Sequence, residues 1–307
     1  MKRRNDASSS TASQPLSEEP EEVAPGRLIE LPGRGTTFVR EISGPPGAPA
    51  VILLHALAAT GGMNWLTTMG RLGQRFRVIA LDLRGHGRGL RPRARFQFVD
   101  CADDVAAVAS ELGISHAIVG GYSMGGPIAQ LVWRRHRELV DGLVLASTSY
   151  QIIQGSHARV LLASGMGWVA QATRFAERVP LRGARGLMPT LVPTSGSLGL
   201  WAADETRRHH PRSIIEAIVE LGKYDASEWI GEIDVPTAVV LTTRDSTVDP
   251  LMQLRLARSI PGAKVHALAD GHLACTHTLF GTVFTEACKG VADRVAARAA
   301  SSPTGSF

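Results

Sequence analysis

One serine of the chain stands in a segment whose residue types and spacing suit nucleophilic attack. Residues 121–126 read Gly-Tyr-Ser-Met-Gly-Gly, which follow the apolar run 117–119 and lead into a helical pattern beginning at Pro127. A sharp strand-to-helix turn leaves no room for β-carbons at the flanking glycines, and it holds Ser123 in a strained, exposed conformation. The helix N-terminus would then present the amide of Met124 to a negatively charged oxygen. The pattern predicts a serine nucleophile for acyl transfer.

A serine nucleophile needs a base that takes its proton. His272, in the segment Asp-Gly-His-Leu, follows the strand-like run 265–268 near the end of the chain. A loop at this position can return to the serine. The chain order serine, acid, histidine is also the order found in the architecture that carries such a strand-to-helix turn. We therefore predict that His272 is the base.

Three aspartates are candidates for the acid that orients the base. Asp245 follows the apolar run 238–241, as an acid at the end of a buried strand should. Asp249 precedes a proline and equally resembles a helix N-cap, so it stays the alternative. Asp270 is too close in sequence to His272, and turn formation is its expected role. We predict that Asp245 is the acid.

Short apolar runs alternate with longer helical stretches from residue 36 onward. This alternation is typical of an α/β domain with a mainly parallel, doubly wound sheet, in which strands covered on both faces are apolar throughout. The predicted strands include 51–54, 78–81, 117–119, 143–146 and 238–241, and the predicted helices include 102–112, 127–136 and 251–259. Residues 147–230 break the rhythm and indicate a helical insertion between two strands. The core is thus expected in 27–146 and 231–299.

The composition excludes several classes of protein. The formal charge is +5, but only four of the 33 basic residues are lysines, and no nucleic-acid-binding motif accompanies the charge. We therefore expect no nucleic-acid partner. No apolar window is long enough for a membrane span, and no apolar run follows the basic residues at positions 2–4, so a signal peptide is not expected.

The two ends of the chain are polar, and its cysteines are few. Residues 1–26 are rich in Ser, Pro and acidic residues and predict a disordered tail, and residues 300–307 predict a second polar tail. The three cysteines, at positions 101, 275 and 288, suit neither a disulfide framework nor a metal site. We expect a cytoplasmic protein without a metal.

With these residues the chain resembles the α/β-hydrolase superfamily, in its capped, esterase and haloperoxidase-like branch. The resemblance extends over residues 36–298. It includes Leu-His-Ala-Leu at 54–57, which is similar to the family's oxyanion segment, and Asp-Leu-Arg-Gly-His-Gly at 82–87, which is similar to a loop of the family. It implies an α/β-hydrolase fold in which residues 147–230 form a helical cap over the site.

The resemblance also assigns roles to individual residues. It implies that the amide of Leu57 is the second oxyanion donor beside Met124, although Ala56 replaces the usual glycine; capping of the strand end by His55 and Leu57 is the alternative. His86 and Trp65 would be structural.

The substrate pocket is expected to lie under the cap. Candidates to line it are Met166, Trp168, Met188, Leu191 and Trp201, together with His55, although the same apolar residues could form the cap's own core. The segment 84–95 contains five arginines and no acid. It is either a site that attracts an anionic substrate or a solvated loop.

The sequence predicts a cofactor-independent serine hydrolase that cleaves an ester or related acyl bond of a small molecule. A carbon-carbon bond hydrolase or a haloperoxidase-type perhydrolase with the same triad is an alternative. Epoxide hydrolases and haloalkane dehalogenases are disfavoured, because these relatives carry an aspartate where Ser123 stands. A protein that keeps the fold and binds a ligand without turnover is the alternative from another class.

Overall fold

The computed structural model describes residues 23–91, 93–151 and 196–301. Its centre is an eight-stranded sheet in which β3 to β8 run parallel, while β2 pairs antiparallel with both β1 and β4. The strands are β1 Gly26–Leu31, β2 Gly35–Ile42, β3 Ala50–Leu54, β4 Arg77–Leu81, β5 Ala117–Tyr122, β6 Val140–Ala146, β7 Thr237–Thr242 and β8 Lys264–Leu268. Their order across the sheet is β1-β2-β4-β3-β5-β6-β7-β8. The predicted α/β class with a mainly parallel sheet is confirmed.

Helices cover both faces of this sheet. They are α1 Gly61–Leu72, α2 Phe98–Glu111, α3 Gly125–Arg135, α4 Gly196–Arg207, α5 Pro211–Lys223, α6 Pro250–Ser259 and α7 Thr278–Ser301. No helix among the described residues has the length and apolarity to cross a membrane.

Two hydrophobic cores lie on opposite faces because successive strand residues point to opposite sides. In β3, Ile52 and Leu54 pack into the core that contains α2 and α3, whereas Val51 and Leu53 pack into the core that contains α1 and α7. β3, β5 and β7 are buried at every residue, as their continuous apolar runs predict. The loops that follow these buried strands begin at the carboxyl edge of the sheet.

The segment 147–230 enters and leaves the sheet between β6 and β7. Its described part contains α4 and α5, and Gln151 forms an isolated antiparallel bridge with Asp225 where the segment returns.

The packed chain begins earlier than the predicted end of the N-terminal tail. Val23 is buried against Trp201, and β1 starts at Gly26. The tail boundary at residue 26 is thus too late by a few residues, because one valine in a polar stretch gives no periodic signal. The rest of that tail, like 302–307, lies outside the described residues.

Candidate active site

Ser123 lies at the turn between β5 and α3 with a backbone φ of 51°. This left-handed conformation is unfavourable for a residue with a side chain, so the surrounding structure must hold it. The flanking glycines make the turn possible, because a β-carbon at Gly121 would lie 2.3 Å from the carbonyl oxygen of Gly125, and one at Gly125 would lie 2.2 Å from that of Leu54. Thr148 donates a hydrogen bond of 2.8 Å to the carbonyl of Ser123 from the neighbouring strand end.

Three side chains meet at the carboxyl edge of the sheet. The Oγ atom of Ser123 lies 2.9 Å from Nε2 of His272, and Nδ1 of His272 lies 2.8 Å from Oδ2 of Asp245. An ionised carboxylate only accepts hydrogen bonds, so Nδ1 must carry the proton, and Nε2 is left to accept the serine proton. The hydroxyl of Tyr122 donates to the carbonyl of His272 at 2.8 Å and holds the histidine loop beside the turn.

The side chain of Asp245 is fully buried, whereas that of His272 is 18% exposed. Burial by itself would raise the pKa of Asp245, but hydrogen bonds from His272 and from the amides of Val248 and Thr247 outweigh it and lower the pKa below its usual value. The carboxylate therefore stays charged and keeps one tautomer of the imidazole.

The other two aspartates have separate partners. Asp249 caps α6 by accepting a hydrogen bond of 2.8 Å from the amide of Leu251. Asp270 accepts from the amide of Gly271 and lies 2.6 Å from Nδ1 of His277. The structure brings only Asp245 to His272 among the three candidates.

The two predicted oxyanion donors differ in how they are held. Met124 is the N-cap of α3, with its side chain buried. Leu57 lies in a loop that is fixed by Asn64, whose side-chain oxygen accepts the amide of Ala56 at 3.0 Å. Within the described ranges, the amides of Met124 and Leu57 donate no hydrogen bond to another group of the chain. Ala56 itself is not left-handed; the positive φ of this loop, 55°, falls at Ala58.

Comparison with known proteins decides the family. Residues 49–276 match the family described as alpha/beta hydrolase fold. The chain belongs to the α/β-hydrolase family. It is 33% identical over 256 residues to an uncharacterized protein of Mycobacterium tuberculosis, covering 83% of this chain and 71% of that protein.

Solved structures show the same fold. A hydrolase from Pseudomonas aeruginosa superposes with a TM-score of 0.68 at 22% identity, covering 85% of this chain and 96% of its own. An esterase from Thermogutta terrifontis, solved with malate bound, gives a TM-score of 0.67 at 22% identity, covering 89% of this chain and 99% of its own. At this identity, the likeness concerns the α/β-hydrolase fold alone.

His55 lies in the segment that resembles the family's oxyanion segment, and backbone groups surround its ring. Its ring is fully buried; Nε2 accepts the amide of Leu83 at 2.9 Å, and Nδ1 lies 2.7 Å from the carbonyl of Ala56. Burial lowers the pKa of His55 to about 3, so the ring is neutral. Both nitrogens contact backbone groups, which favours capping of the strand end by His55. Its contact with a substrate stays a prediction.

Trp201 on α4 joins the inserted segment to the core of the α/β-hydrolase. The indole is 3% exposed, packs near Val23 and lies 5.7 Å from the guanidinium of Arg40. Its predicted contact with substrate stays a prediction. The other four pocket candidates, Met166, Trp168, Met188 and Leu191, lie outside the described residues.

The two side chains that the resemblance treats as structural are both fully buried. Trp65 packs against Phe284 with ring centroids 4.8 Å apart, and His86 packs between His55 and His209 at 5.1 and 5.5 Å.

Most arginines of the segment 84–95 bind the protein itself. Arg84 is buried and forms two hydrogen bonds with Asp104, and Arg88 pairs with the buried Glu205 of α4 at 2.8 Å. Arg91 donates to five backbone carbonyls. These contacts favour a structural role over the attraction of an anionic substrate.

Several residues of the site escaped sequence reasoning. Thr242 and Gln253 contact the buried acid, and Thr148 and Tyr122 hold the serine turn and the histidine loop. Thr242 stands three residues before Asp245 at the end of a buried strand, which is a weak signal. Gln253 gives no sequence signal, because its contact depends on how α6 packs against β7. No group of three metal-ligating side chains occurs among the described residues.

Proposed function

We propose that the protein is a cofactor-independent serine hydrolase that cleaves an ester or related acyl bond of a small molecule. The observation that carries this proposal is the chain of two hydrogen bonds, 2.9 Å and 2.8 Å, from a left-handed serine through His272 to a buried aspartate. A hydrolase of this family with an activated serine has a direct route to an acyl-enzyme.

The mechanism follows from the donors and acceptors of the site. His272 accepts the proton of Ser123 at Nε2 while the serine oxygen attacks the carbonyl carbon, and Asp245 stabilises the resulting imidazolium. The amides of Met124 and Leu57 stabilise the oxyanion. His272 then gives its proton to the leaving alcohol as the ester bond breaks. A water molecule then gives a proton to His272 and attacks the carbonyl carbon of the acyl-enzyme. The bond to Ser123 breaks, His272 returns the proton to the serine oxygen, and the carboxylic acid product leaves.

Turnover of p-nitrophenyl esters of increasing chain length tests this proposal. The wild type should hydrolyse at least one of these esters, and Ser123→Ala should lower kcat by about 10⁴-fold or more. Ser227→Ala, which changes an exposed serine outside the triad, is the matched control and should keep full activity. Hydrolysis by Ser123→Ala at the wild-type rate would contradict the proposal.

The alternative of a ligand-binding protein predicts tight binding without turnover. The intact hydrogen-bond chain weighs against it, because a binding site has no need for a base on a strained serine. We place the activity in the reducing cytoplasm, where the three buried cysteines would stay free thiols.

A further inference from the structure

The acid of the triad is held from behind by a second set of polar side chains. Thr242 at the end of β7 and Gln253 on α6 are both fully buried. The hydroxyl of Thr242 lies 2.9 Å from Oδ2 of Asp245, the same oxygen that holds His272. Gln253 reaches that oxygen with Nε2 at 3.3 Å.

The strand register explains why Gln253 stands there. Parallel pairing between β6 and β7 ends at Val240, so the amide of Thr242 extends beyond β6, while Thr242 still pairs with Leu268 of β8 on its other side. The side-chain oxygen of Gln253 accepts this amide at 3.0 Å. A buried amide without a partner would be costly, so this contact fixes which way the Gln253 side chain faces.

The orientation of Gln253 then sets the direction of each hydrogen bond. With its oxygen on the Thr242 amide, its nitrogen donates to the carbonyl of Val248 at 2.8 Å and to the hydroxyl of Thr242 at 3.0 Å. A hydroxyl has one proton, and since Thr242 accepts from Gln253, it gives that proton to its nearest acceptor, Oδ2 of Asp245.

We propose that Thr242, oriented by Gln253, is a positioning residue that fixes Oδ2 of Asp245 for its hydrogen bond with His272. This inference rests on the proposed serine hydrolase function. Four donors hold the carboxylate, namely His272, Thr242 and the amides of Thr247 and Val248. The hydroxyl of Ser147 lies 3.2 Å from that of Thr242 and belongs to the same buried network.

Thr242→Val tests the role of the hydroxyl because valine keeps the side-chain shape. We expect the rate of labelling by a fluorophosphonate to fall about tenfold, since a hydrogen bond to a charged group is lost. The acidic limb of the labelling rate should move to higher pH, because Asp245 loses a donor that favours its charged form. The downfield proton resonance of the hydrogen bond between Asp245 and His272 should also shift.

Two variants separate positioning from stability. Thr237→Val makes the same change at another fully buried position of β7, where the hydroxyl donates to the carbonyl of Val235, and it should leave the labelling rate and its pH profile unchanged. Thr242→Ser keeps the donor and should restore most of the rate. If Thr242→Val does not fold, Thr242→Cys replaces the hydroxyl by a thiol of similar size that is a weak donor. Its labelling rate, pH profile and proton resonance should then change in the same directions but by less.

The outcomes distinguish this inference from the proposed function. A folded wild type that is not labelled would contradict the proposed function itself. If the wild type is labelled, and Thr242→Val shows the same labelling rate, pH profile and downfield proton resonance as the wild type, the positioning role is wrong while the proposed function stands.

Discussion

Asp245 is a buried carboxylate that must stay charged, and its hydrogen-bond donors make this possible. Two backbone amides hold Oδ1, while Oδ2 faces His272. An amide in place of the carboxylate would turn a donor toward Nδ1 and favour the tautomer that cannot accept the serine proton.

We therefore expect Asp245→Asn to lower kcat by about 10⁴-fold without loss of the fold. The matched control is Asp249→Asn, which lies at the start of α6 and caps it. Since asparagine is also a good N-cap, this variant should keep its activity and its stability. Ester turnover and circular dichroism measure both. Equal losses of activity in the two variants would show that Asp245 has no special role.

The sequence predicts the three residues of the proposed triad better than it predicts the residues that hold them in place. Ser123, His272 and Asp245 carry local signals, namely glycine spacing, chain order and position after a buried strand. Thr242 and Gln253 meet only because a helix packs beside the end of a strand, and no periodicity reports that contact. His55 lies in a recognisable motif, but the motif did not predict its contacts, since backbone groups occupy both ring nitrogens.

At the scale of elements, the strand-turn-helix unit of Ser123 depends on close backbone contact. Gly121→Ala would place a β-carbon 2.3 Å from the carbonyl oxygen of Gly125. We expect a loss of about 2–3 kcal/mol in the free energy of unfolding and a loss of esterase activity, because the turn must open.

A helical glycine provides the control for this substitution. Gly290 in α7 has open space around the position of a β-carbon, so Gly290→Ala should keep activity and gain up to about 1 kcal/mol. Urea unfolding of both variants measures the difference. A stable, active Gly121→Ala would mean that the turn does not require the close approach seen here.

The central strands were predictable because strands covered on both faces are apolar throughout. β1 and β2 were not, since they form an antiparallel hairpin at the edge of the sheet and several of their residues are exposed. The pairing of β2 with β4 is set by contacts that are distant in sequence, so a local pattern could not reveal it.

At the scale of the whole molecule, buried histidines link the inserted segment to the core. Nδ1 of His209, beside α4, accepts the amide of Gly87 at 3.1 Å, and burial lowers the pKa of His209 to about 4. The unfolded chain takes up a proton near pH 6.5, before the folded one does. Stability is therefore lost as the pH falls from about 6.5 to about 4, by about 1.4 kcal/mol per pH unit for each such histidine.

His209→Asn tests this pH dependence, because asparagine keeps an acceptor for the Gly87 amide but does not titrate. We expect its unfolding free energy to fall less steeply between pH 6.5 and 4, by about 3 kcal/mol in total, while His55 still contributes. Burial raises the pKa of Asp82 to about 6. In the wild type and in the variant alike, Asp82 therefore makes the unfolding free energy rise as the pH falls below about 6, which is opposite to the effect of the histidines. Urea unfolding at several pH values measures the slope, and a slope equal to that of the wild type would contradict the assignment.

The site of covalent modification shows whether Ser123 is an activated nucleophile. The folded wild type is treated with a fluorophosphonate, digested and mapped by mass spectrometry, with Ser123→Ala in parallel. We predict a single adduct on Ser123 in the wild type and no adduct in the variant. An unmodified wild type, or an adduct on another serine that persists in Ser123→Ala, would contradict it.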